Sequence, residues 1–288
     1  MTEKSLRIGQ IIYTNTLPVY FYFDQKRFQD RIDFIQQVPA QLNAAMARGE
    51  IDVGPISSFS YAEHASQYLV LPNLSVSAKG KVGSIFLFSK RPIEELAGAR
   101  IALTNTSATS VNLLKIILQK FFGLHVSYKT QSPVLEEMMK EADAALLIGD
   151  DALLAIRNSL PYQVYDLGEL WHRFTGYSMT FALWAVRKQA IEHHRELLLD
   201  VHAAFLSSKE KTRRHLDLMI EDVLVHFGGN REDWYSYFNG LTHDFTDEQR
   251  VGLEYYYQCA AELGLLSSPV KVSLWDAASQ QANTTLTS

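Results

Sequence analysis

The sequence predicts an α/β protein of two lobes, with a cleft between them and a helical C-terminal segment. Short β-branched runs alternate with alanine- or leucine-rich segments at βαβ spacing, which calls for parallel sheets. The alternation starts afresh beyond Pro92, and a late apolar run, Phe181 to Val186, carries the chain back before a long stretch of helical periodicity. Two crossings therefore join the lobes, with residues 1–89 plus 177–288 in one and 90–176 in the other.

Leu6 to Tyr13 reads as the first strand; Thr14-Asn15-Thr16 breaks it, and Leu17-Pro18 suits a helix start with proline near its first position. Ile32, Phe34, Ile35 and Val38 lead into the alanine-rich segment Pro39 to Arg48, which Gly49 closes as a C-cap. A strand from Ile51 to Gly54 and a helix from Phe59 to Ala65 come next, then a strand from Val82 to Phe88 with Ser84 between apolar neighbours. The second lobe runs strand Ile101 to Leu103, loop Asn105 to Ser110, helix Val111 to Phe122, strand His125 to Lys129, helix Pro133 to Glu141 and strand Ala144 to Ile148, ending in Gly149-Asp150-Asp151. From Gln189 to about Gly264 the pattern is helical, with breaks at Gly228-Gly229 and near Thr242-His243. The tail QQANTTLTS has the composition of a disordered segment.

At 288 residues and 47% hydrophobic, the chain can bury two moderate cores. Its 27 basic and 32 acidic residues give a formal charge of −5, and no basic stripe is interleaved with aromatics, so nucleic acid is not an expected partner. No stretch approaches the roughly 18 apolar residues that span a membrane. The start, MTEKSLRIGQIIYTN, lacks a charged segment followed by an apolar run and a small-residue cleavage site, so the cytoplasm is the expected location. Cys259 is the only cysteine, which leaves no internal disulfide and no multi-cysteine metal site. His193-His194, with His202 beyond, matches no metal-binding spacing and is expected at the surface.

In an open α/β sheet, ligands bind beyond the carboxyl ends of the strands. Asn15 and Pro55-Ile56-Ser57-Ser58 follow such ends, so both loops point to one rim; Ser57 or Ser58 either caps the next helix or meets a ligand there. Thr104 to Ser110 sits between a strand and a helix N-terminus, and six of its seven side chains carry a hydroxyl or amide, more than a cap needs. Free N–H groups, the helix dipole and these donors favour a carboxylate or phosphate. Glycine is absent from it, so it is no nucleotide-binding loop. Asp150 can be a general base, a ligand contact or a helix N-cap. No Gly-x-Ser-x-Gly elbow occurs, and no histidine lies in the candidate loops, His172 being the nearest, so triad chemistry is not expected. The residues describe a polar anion-binding cleft with few strong bases.

The segments RIGQIIYTNTLPVY, GEIDVGPISSFSY, VGSIFLFSKRPIEELAGARIALTNTSATSVNLLK, ALLIGDDALL and WHRFTGYSMTFALWAVR, in this order, resemble the chorismate dehydratase family of the futalosine route to menaquinone. The resemblance covers roughly residues 6 to 187 and implies a type II periplasmic-binding-protein-like fold in a cytoplasmic enzyme. It implies a hydro-lyase, with no cofactor, that takes the C3 proton and C4 hydroxyl from chorismate to give 3-[(1-carboxyvinyl)oxy]benzoate and water. By the family pattern Asn15 and Ser84 are the catalytic positions, Ser57, Thr109 and Ser110 bind carboxylates, and the neighbouring Ser58, Ser107 and Asp150 are candidate substrate contacts. A sister family acting on cyclic dehypoxanthine futalosine carries a histidine near the loop that here reads Ile148-Gly149-Asp150, which argues against that activity. A transport or sensory binding protein would share the fold without the chemistry.

Overall fold

The computed structural model describes residues 5–158 and 161–276; the tail QQANTTLTS lies outside them. Its first sheet is built from β1 (Leu6–Ile11), β2 (Ile32–Gln37), β3 (Val53–Ser57), β4 (Tyr68–Ala78), β10 (Met179–Arg187) and the short β11 (Leu241–Thr242), in the order β11-β4-β10-β3-β1-β2. The second contains β5 (Ile85–Ser89), β6 (Arg100–Thr104), β7 (Ser127–Gln131), β8 (Ala144–Ile148) and β9 (Gln163–Asp166), in the order β7-β6-β8-β5-β9. β1 runs parallel to β2 and β3, and β6 parallel to β7 and β8, while β10 and β5 enter antiparallel as the crossing strands. All residues of β3, β5 and β8 are buried, as strands covered on both faces must be.

The helices of the first lobe are α1 (Leu17–Tyr20), α2 (Pro39–Arg48) and α3 (Ser58–Glu63). In the second they are α4 (Ala108–Ile116, prolonged by a π turn Ile117–Phe121), α5 (Leu135–Glu141), α6 (Gly149–Ile156) and α7 (Leu167–Thr175). The C-terminal segment supplies α8 (Lys188–Arg214), α9 (Leu216–Phe227), α10 (Arg231–Gly240) and α11 (Asp247–Glu262). One apolar core extends through both sheets. On one side α11 joins the lobes: Trp171 of α7 lies 5.8 and 6.1 Å, centroid to centroid, from Tyr255 and Tyr256 of α11.

Three differences from the sequence reading bear on the site. The strand read as Ile51 to Gly54 instead runs through Pro55 to Ser57, because its ladder with β10 continues to Ala182. β5, placed with the first lobe by a boundary at residue 89, makes both its ladders in the second sheet. α6 begins at Gly149 with Ile148 as its N-cap, so Asp150 sits in the first turn and is not the cap.

Candidate active site in the inter-lobe cleft

The carboxyl ends of β1 and β3 face those of β6 and β8 across the cleft, and polar contacts close the gap. Beyond β1, Thr14 donates from its N–H (3.2 Å) and its Oγ1 (2.7 Å) to the Asp150 carboxylate at the start of α6. Gly149 N–H donates to the Ser84 carbonyl at 2.7 Å, which sets Ser84, at the head of β5, beside Asp150. Gly149 has φ +58°, and a Cβ there would come 2.7 Å from the Tyr13 ring, so the approach of these segments requires glycine. Asn15, Ser84 and Asp150 are thus brought together. The Tyr13 hydroxyl lies near Thr106 in the second candidate loop.

A second set of contacts ties α3 to α4. Phe59 N–H donates to Thr109 Oγ1 at 2.9 Å, and Tyr256 of α11 donates its hydroxyl to the Thr109 carbonyl at 3.1 Å. Ser57 caps α3 by accepting from Ser60 N–H, and both its backbone and its hydroxyl bond the Asn43 amide. Ser58 Oγ donates to the Thr180 carbonyl at 2.8 Å. Ser107 caps α4 and its hydroxyl bonds Ser110 Oγ at 3.2 Å. Ser57 and Ser107 therefore fill helix-capping roles and Ser58 does not, while a cavity of about 480 Å³ lies beside them, lined among others by Asn43, Ser60, His64, Asn105, Ser107 and Lys115. Another, of about 430 Å³, opens at the opposite end of β1 and β10, around the Arg7–Asp52 ion pair, and does not share this rim.

Burial raises the Asp150 carboxyl above its ordinary pKa, partly offset by the two Thr14 bonds and reinforced by neighbouring Asp151, so the group is more basic than a free carboxylate. The Asn15 side-chain oxygen is buried without a partner. The C-terminal segment supplies two groups that sequence reasoning missed. His243 donates Nε2–H to the Asn15 carbonyl at 2.7 Å; burial first, and Lys209 nearby, lower its pKa to about 4, so the ring is neutral and fixes the Asn15 loop. Tyr237 of α10 brings its hydroxyl beside Ser84 and Thr14. The sequence break at Thr242-His243 marked the right place, but nothing local says that it folds back against Asn15. His172 is on the outside, bonded to the Tyr177 carbonyl. Among the described residues no group of three or more His, Cys, Asp or Glu could hold a metal ion, and no helix is long and apolar enough to cross a membrane.

Residues 6–262 match the family described as menaquinone biosynthesis. The chain belongs to this family. It is 34% identical over 197 residues to a chorismate dehydratase of Thermus thermophilus, covering 63% of this chain and 70% of that protein. A 1,4-dihydroxy-6-naphtoate synthase of the same organism is 26% identical over 175 residues, covering 60% of this chain and 62% of that protein. The fold is that of periplasmic binding proteins: the aliphatic sulphonate binding protein of Escherichia coli superposes with a TM-score of 0.69 at 16% identity, over 96% of this chain and 93% of that one. A protein from Archaeoglobus fulgidus superposes at 0.72 and 17% identity, over 92% of this chain and all of that one.

Proposed function

We propose that this family member is a chorismate dehydratase, a hydro-lyase that removes water from chorismate to give 3-[(1-carboxyvinyl)oxy]benzoate. The observation that carries the reading is the convergence of Asn15, Ser84 and Asp150 in one buried cleft of a chain that resembles a named chorismate dehydratase over most of its length. A cytoplasmic location fits a biosynthetic role.

The chemistry suits the groups present. The C3 proton is vinylogous to the ring carboxylate and the product is aromatic, so positioning and charge stabilisation supply much of the rate. Asn15 and Ser84 are neutral donors that hold the substrate oxygens as charge moves. Two bases fit over C3: the raised carboxylate of Asp150, or a carboxylate of the substrate itself held there by the hydroxyls of Thr109 and Ser110. Helix α4 adds the positive end of its dipole for that carboxylate. Closure of the lobes keeps water from the developing carbanion.

Incubating purified protein with chorismate should produce an aromatic chromophore and the carboxyvinyloxy product by mass. Chorismate that binds and remains unchanged would favour the second reading, a non-catalytic carboxylate-binding protein, which the fold relatives keep open.

A further inference from the structure

Helix α10 follows the Gly228-Gly229 break, is capped by Asn230, and presents an aromatic face of Trp234, Tyr237 and Phe238 with centroids 5.1 to 5.9 Å apart. The Tyr237 ring rests on Gly83 (φ +71°), where a Cβ would come 3.1 Å from the ring. That contact sets the hydroxyl close to Ser84 and Thr14, near enough to feel the Asp150 charge. Despite these neighbours the hydroxyl is buried and makes no aligned hydrogen bond. The Asn15 amide oxygen is in the same condition one residue from Thr14. Buried polar groups are almost always paired, so an unpaired donor and an unpaired acceptor in one cleft mark where a ligand oxygen completes the network. The Tyr68 hydroxyl is also unpaired, but it lies at the far end of β4, away from the cleft, and supports no such role.

We propose that the Tyr237 hydroxyl is a substrate-contacting donor of this cleft, acting with Ser84 on one ligand oxygen. Which oxygen rests on the dehydratase reading: there it is the departing C4 hydroxyl. The base takes the C3 proton, the C3–H electron pair becomes the new ring π bond, and C4–O breaks with its pair on oxygen, which receives that proton from the base and leaves as water. Burial raises the phenol well above its ordinary pKa, so Tyr237 stays protonated and stabilises the leaving oxygen by a hydrogen bond rather than by giving up its proton.

Tyr237→Phe keeps the ring on Gly83 and removes only the hydroxyl. With chorismate, kcat should fall about 10²-fold, the scale of losing one such donor, with KM within about threefold. Ser84→Ala combined with Tyr237→Phe should lose less than the product of the single effects, because both donors serve one oxygen. The melting temperature of Tyr237→Phe should equal or exceed that of the wild type, since the hydroxyl forms no protein bond. A kcat within twofold of wild type, or a variant that melts several degrees lower, would overturn the assignment. Wild-type protein that leaves chorismate unconverted would instead overturn the dehydratase reading, and the melting comparison would still decide whether the hydroxyl is structural.

Discussion

Asp150 carries a carboxylate that burial makes costlier to ionise in the folded chain than in the unfolded one, although Thr14 recovers part of that cost. Its folded pKa is raised, so its contribution is most favourable below the unfolded pKa and is lost as pH rises through the folded one. Asp150→Asn keeps an acceptor for Thr14 and removes that dependence. The variant should melt at or above wild type at neutral pH and lose that advantage in acid, as read by scanning melts across pH. Its activity separates the two bases: kcat collapses if Asp150 takes the proton, and stays largely intact if a substrate carboxylate does. His243 has the opposite sign. Its pKa is depressed from 6.5 to about 4, so its contribution is present above about pH 6.5 and lost as pH falls through 4. His243→Gln retains an N–H for the Asn15 carbonyl, and its melting temperature should fall less than that of wild type between pH 7 and 4. For Asn15→Ala and Ser84→Ala, kcat should drop about 10²- to 10³-fold with smaller changes in KM. Wild-type turnover at saturating chorismate would make both residues mere lining.

Among the elements, Asp166 governs how Ser84 is presented. Its buried carboxylate caps α7 through Glu169 N–H (3.0 Å) and accepts from Val82 N–H (3.1 Å) and Gly83 N–H (2.7 Å), pinning the crossing just before Ser84. Asp166→Ala strands those donors, and stability should fall by about 1–3 kcal/mol in urea unfolding, with a lower kcat because Ser84 is released. An unchanged unfolding midpoint would show that the crossing is held by β5 alone. Elements whose signals are local were legible in the sequence. α2 runs from Pro39 to its Gly49 cap, and β8 occupies Ala144–Ile148. β4 was not: Pro72 and Asn73 (φ +61°) interrupt its pattern, and register shifts against β10 show that tertiary pairing holds it. The site divides in the same way. Asn15, Ser84 and Asp150 follow or precede apolar strands, which made their place beside one another legible, whereas Tyr237 and His243 come beside them only when distant helices fold back over the cleft.

At the scale of the whole molecule, the lobes meet through contacts of two kinds. On the α11 side, Trp171, Tyr255 and Tyr256 join an apolar core that does not separate without exposing it. Across the cleft the contacts are polar: Thr14 with Asp150, Phe59 with Thr109, and Arg157, which donates to the Phe227 carbonyl at 2.9 Å and lies 5.0 Å over the Trp234 ring. Polar groups can exchange each other for water, so the expected motion is a hinge about α11 that opens the lobes at the rim. Thr109→Val tests this because it is nearly isosteric and leaves Phe59 N–H without an acceptor only when the lobes are closed. A stranded buried donor costs about 1–3 kcal/mol, which shifts the closed population by about 5- to 150-fold. An enzyme that reacts only when closed then shows a raised KM, to which loss of the carboxylate contact proposed for the Thr109 hydroxyl adds, so the size of the ligand-free molecule is the deciding readout. Solution scattering should give a larger radius of gyration for the ligand-free variant than for the wild type, converging when product is added. Equal radii together with an unchanged KM would show that the apolar contact at α11 fixes the lobes and that substrate enters a site that never opens.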